Sequence, residues 1–60
     1  MRYWLNIGHV QFDLVLGGAV EQLIGKLVHC DETGCTILAE ATGIYHSYAL
    51  GVIQHASPAP

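Results

Sequence analysis

Apolar and polar residues alternate along the first sixteen positions. Tyr3, Leu5 and Ile7 alternate with Trp4 and Asn6, and Val10, Phe12, Leu14 and Leu16 alternate with Gln11, Asp13 and Val15. A repeat of two is the mark of a strand with one buried face, so both segments predict strands. Gly8-His9 between them fits a two-residue type II′ turn, which makes the pair an antiparallel hairpin. Gly17-Gly18 ends the second strand, and beyond it the repeat lengthens. Val20, Leu23, Ile24, Leu27 and Val28 fall at helical spacing, with Glu21, Gln22 and Lys26 turned outward. Gly25 lowers the stability of such a helix by about 1 kcal/mol relative to Ala without ending it.

Asp31-Glu32-Thr33-Gly34 reads as a turn, and the apolar, β-branched run Thr36-Ile37-Leu38-Ala39, closed by Glu40, predicts a third strand. Thr42 is placed to cap a second helix running from about Ile44 to Ala56. Tyr45, Tyr48, Ala49, Val52, Ile53 and Ala56 would share one face of it, and His46, Ser47 and Gln54 another. The expected order is β-β-α-β-α. It defines an α/β fold: a three-stranded mixed sheet, with the hairpin joined by one parallel strand through a helical crossover, and two helices. Residues 1–56 would form this domain, and residues 57–60, Ser-Pro-Ala-Pro, a disordered tail.

Composition narrows the function classes. The chain has 60 residues, 52% of them hydrophobic and 12% charged, with a net charge of −3. A domain this small buries only about 60% of its unfolded surface, so such an apolar composition implies a piece of a larger core or a surface meant to be covered. Arg2 and Lys26 are the only basic side chains, so there is no cationic patch for displacing phosphate counterions. Weak or no nucleic-acid binding is expected of the chain alone. No apolar run approaches the roughly 20 residues that cross a bilayer, and the start lacks a signal-peptide pattern, which leaves a cytoplasmic setting by default. There Cys30 and Cys35 would be free thiols, although a bridge around the intervening turn is sterically conceivable.

Two segments resemble a known family. Phe12-Asp13-Leu14-Val15-Leu16 is similar to one early strand, and Leu38-Ala39-Glu40-Ala41-Thr42-Gly43-Ile44-Tyr45-His46 to a later block, of the transposases of the insertion-sequence one-ten family. The catalytic domain of that family is RuvC-like, with a ribonuclease-H-type fold. The resemblance covers most of residues 3–55 and implies a fragment of a DNA transposase or recombinase. Intact relatives hold magnesium through three aspartates and a glutamate, take a serine nucleophile from a separate domain, and act on DNA with a guide RNA. Magnesium favours such hard oxygen ligands, which let it stabilise charge as phosphodiester bonds break and form.

The match puts Glu40 on the glutamate of the quartet and Asn6 in place of the first aspartate. Asp13 falls on a matched position outside the quartet. The last two aspartates would lie beyond Pro60, and the link from Leu16 to Ala19 is too short for the strand the fold places there. An amide in place of a carboxylate loses the charge that draws in a divalent cation. One charged ligand of four does not make a metal site, so the expectation is a vestigial Glu40, no bound magnesium and no strand transfer by the chain alone.

Other chemistry is sparse. His29, Cys30 and Cys35 invite a zinc reading, but His46 and His55 would lie on opposite sides of one helix and cannot both close the shell. No acid is placed to orient a Cys-His pair, and Gly17-Gly18 lacks the continuation of a phosphate loop. The alternative from a different class is a small non-enzymatic interaction module that forms a homo-oligomer, dimerising through an apolar face.

Overall fold

The computed structural model describes residues 1–60 and contains no α-helix. A single 3-10 turn, Arg2–Trp4, precedes five strands: β1 (Val10–Leu16), β2 (Ala19–Cys30), β3 (Gly34–Ala39), β4 (Tyr45–Ala49) and β5 (Ile53–Pro58). They form one sheet in the order β4-β3-β2-β1-β5, and every strand pair in it is antiparallel. The expected α/β fold is therefore wrong in class. The molecule is all-β, with no crossover helix and no parallel strand in the sheet.

β1 is where the alternation predicts it, burying Val10, Phe12 and Leu14. Its partner is not the segment before it. Tyr3 to Ile7 contribute the 3-10 turn and one isolated parallel bridge, Leu5 to Leu27. The first hairpin instead runs forward through Gly17-Gly18, whose φ angles of +57° and +82° suit a type I′ turn that only glycine adopts cheaply. At Gly8-His9 the positive φ falls on His9, at +57°, so that pair is not the expected type II′ turn.

The stripe over 20–28 is a strand because its β-branched members, Val20, Ile24 and Val28, suit a pleated surface. Its inward positions are Leu23, Gly25 and Leu27. Gly25 brings no side chain, which leaves a gap in the period-2 pattern and lets a helical period fit equally well. Gly25 is also the pivot of the sheet, opposite both Val10 of β1 and Ala39 of β3. Residues 19–25 of β2 pair with β1, and 25–30 pair with β3. One long strand thus serves two half-sheets. The overall extents, 25 × 23 × 20 Å, are far from those of a flat sheet about 10 Å thick, so the sheet is curled around its core.

The predicted second helix is two strands. Leu50-Gly51 turns the chain between β4 and β5, with Val52 N–H donating to the Ala49 carbonyl (3.0 Å) and Gln54 Nε2 donating to the Gly51 carbonyl (2.6 Å). The supposed common face splits accordingly: Tyr45 is 63% exposed while Ile53 is buried. Ser57 and Pro58, expected in a frayed tail, belong to β5, and Ala59 N–H donates to the His9 carbonyl (2.9 Å). The core cluster is Val10, Phe12, Leu14, Leu27, Cys35, Ile37 and Ile53, with Trp4, Leu23 and Tyr48 packed around it. Cys30 and Cys35, expected as free thiols, are joined in a disulfide at the end of the β2–β3 hairpin.

Candidate functional site

Glu40 leaves the end of β3 into a turn rather than a helix. Its N–H donates to the Ile24 carbonyl (2.9 Å), and Gly43, at φ +71°, closes the turn through a bond to the Ala39 carbonyl (2.9 Å). Thr42 Oγ1, expected to cap a helix, accepts from the Ile44 N–H at 3.3 Å inside the same turn. The Glu40 carboxylate is met by His9, whose Nδ1 lies 3.0 Å from both oxygens. His9 Nε2 lies 3.1 Å from the Pro60 carbonyl. With an acceptor at each ring nitrogen, the doubly protonated imidazolium is the form that satisfies both. Its pKa is accordingly raised above 6.5, first by the Glu40 hydrogen bond, then by the Pro60 carbonyl and by the charge of Glu40. The pair sits in a cleft of about 210 Å³ lined by Gly8, Gly25, Lys26, Leu38, Ala39 and Gly43.

The second expected ligand is elsewhere. Asn6 N–H donates to the Leu27 carbonyl (2.7 Å), whereas Glu40 bonds the Ile24 carbonyl. Carbonyls three residues apart on a strand point to opposite edges, separated by roughly 10 Å along it. Asn6 therefore flanks β2 on the β1 side and Glu40 on the β3 side. The side chain bonded to the Glu40 carboxylate is an imidazole, and Lys26 lines the same cleft; neither is a ligand for magnesium. No three His, Cys, Asp or Glu side chains converge anywhere in the molecule, and this donor set does not fit a divalent cation. Asp13 lies on β1 between Gln22 of β2 and His55 of β5, with its Oδ1 buried and without a hydrogen-bond partner. His46 and His55, argued apart on a helix, lie instead on the two outermost strands.

A second polar cluster surrounds the β2–β3 turn. Asp31 Oδ1 accepts from the Thr33 N–H (2.8 Å), the Thr33 hydroxyl (2.6 Å) and the Gly34 N–H (3.2 Å), while His29 Nε2 donates to Oδ2 (3.1 Å). These donors, Thr33 foremost, hold the Asp31 carboxyl well below the usual carboxylate range. On the same outer face His29 is opposite Thr36, and Thr36 Oγ1 shares a 2.9 Å hydrogen bond with Ser47 Oγ of β4. The crevice beside them, about 340 Å³, is open and lined by His29, Asp31, Thr33, Thr36, Ser47 and Tyr48 among others. An Asp followed two residues later by Thr and then Gly signals this turn in the sequence; the alignment of His29, Thr36 and Ser47 needs the register.

The largest departure from an ordinary small domain is apolar. Eight apolar residues are buried, yet ten large ones are exposed, including Tyr3 at 79%, Val20 at 71%, Ile44 at 56% and Leu50 at 51%. Val15 and Val20 face each other across the first hairpin, and Val15 N–H bonds Val52, two residues beyond Leu50. No helix is long and apolar enough to cross a membrane. No family model, curated protein or solved structure matches the chain.

Proposed function

We propose that this chain is a small, non-enzymatic β-sheet interaction module whose apolar surface is covered by a protein partner. The observation that carries the reading is the excess of exposed over buried large apolar side chains on a folded sheet. Single exposed apolar residues are ordinary, but here Val15, Leu16 and Val20 gather at one hairpin tip beside the β4–β5 turn. Neither polar cluster supplies an activated nucleophile with an orienting base. The magnesium site that the resemblance implies for intact relatives gains no support from the placement of Glu40 and Asn6. The test is binding of a hydrophobic dye by the native chain well below its melting temperature. The expected result is strong binding that Val20→Lys with Leu50→Lys reduces without lowering the melting temperature. A cooperatively folded chain that leaves the dye dark overturns the reading.

A further inference from the structure

We propose that the partner is a second copy of this chain, joined antiparallel along the free edge of β4 about a two-fold axis at Ser47; this rests on the interaction-module reading above. The sheet is open, with β4 and β5 at its two edges and no pairing between them. On β4, the bond from Ala39 N–H to the Ile44 carbonyl sets the parity. Ile44, His46 and Tyr48 turn their backbone groups toward β3, so Tyr45, Ser47 and Ala49 present theirs outward. Natural edges are blunted by charge, proline or bulges. β5 carries Pro58 at its end and its pairing with β1 shifts register after Asp13, whereas β4 has none of these devices.

Charge opposes pairing at neither edge: Ala41 to Pro60, which spans β4 and β5, contains no charged residue, while the chain as a whole carries −3. What selects β4 is its lack of a proline or a register shift, together with its sequence. Residues 44–50 are self-complementary in one register. With Ser47 opposite Ser47 of the other copy, His46 meets Tyr48, Tyr45 meets Ala49, and Ile44 meets Leu50. Large faces small, aromatic faces aromatic, and two exposed apolar side chains cover each other at each end. Isologous pairing of this kind closes as a dimer, whereas β4 against β5 would propagate head to tail.

Seven residues a side, 44–50, are far fewer than the roughly 20–30 of a standard interface, so the dimer is expected to be weak, with Kd on the order of 10–100 μM. Because position 47 pairs with itself, a charge there repels its own copy and attracts the opposite charge. The experiment is sedimentation equilibrium of the full chain and of Ser47→Lys and Ser47→Asp, each checked for native melting. Wild type should approach about 13 kDa, twice 6.5 kDa. Each variant alone should associate at least about fivefold more weakly, and an equimolar mixture should restore the dimer. Should either variant unfold, Ser47→Pro, which removes the outward N–H along with the hydroxyl that meets Thr36, should give a folded monomer. Wild type that stays monomeric at millimolar concentration, variants that dimerise as wild type does, or assemblies longer than dimers would each overturn the proposal. Dye binding retained alongside any of these would leave the broader reading standing.

Discussion

Gly25→Ala separates this fold from its helical competitor by the sign of its effect. Gly25 sits where β2 passes from one half-sheet to the other, opposite Val10 on one side and Ala39 on the other. A Cβ built there runs into the Leu38 carbonyl oxygen, and lies 3.0 Å from the Leu38 carbonyl carbon and 3.2 Å from Ala39 Cα. These are backbone atoms held by the β2–β3 ladder, so relief requires the strands to part. Overpacking of this kind costs about 1–3 kcal/mol. A chain of 60 residues has about 3–9 kcal/mol of stability in total. The melting temperature should fall by roughly 5–20 °C. Gly51→Ala is the control, because its Cβ meets nothing within 4 Å, and it should leave the melting temperature unchanged or slightly raised. In a helix over 20–28 the same Gly25→Ala would add about 1 kcal/mol. Thermal melts followed by circular dichroism read the difference, and a Gly25→Ala chain that melts at or above wild type refutes the sheet.

Two further outcomes follow from the polar groups. Because the His9 pKa is raised in the folded chain, its stabilising contribution is complete below 6.5 and drains away as pH climbs through the raised value. Melting temperature should decline across that interval in wild type and flatten in Glu40→Gln, and proton NMR should find the His9 ring titrating above 6.5. Asp13 leaves a buried oxygen unpaired on a central-sheet strand, so Asp13→Val, which removes the acceptor and suits a strand, should raise stability by about 1 kcal/mol in denaturant titrations.

How much of this was legible depended on whether the signal was local. β1 showed plainly because Val10, Phe12 and Leu14 fill every inward position, and β3 and the Asp31 turn were equally direct. β2 was misread because Gly25 leaves its inward row with a hole, and five apolar residues around it satisfy a helical period by coincidence. β4 and β5 fused into one apparent helix because Tyr45, Tyr48, Val52 and Ile53 keep that spacing across a turn made at Leu50-Gly51. Glu40 does follow β3, but a turn stands where a helix was expected, and its neighbour was not foreseen. His9 lies 31 residues away and reaches Glu40 only because Gly25 pairs with both β1 and β3. No spacing rule reports such a contact. The Thr36–Ser47 pair and the free edge of β4 depend in the same way on register, which a one-residue slip would invert.

Amide hydrogen exchange, read residue by residue at low and high protein concentration, tests the central claim of an open sheet with a pairing edge. The N–H groups of His46 and Tyr48 should be protected at every concentration by β3, while those of Tyr45 and Ser47 should exchange freely when dilute and become protected as concentration rises into the hundreds of micromolar. Tyr45 and Ser47 amides that exchange at the same rate throughout, or that are protected even at high dilution, contradict it.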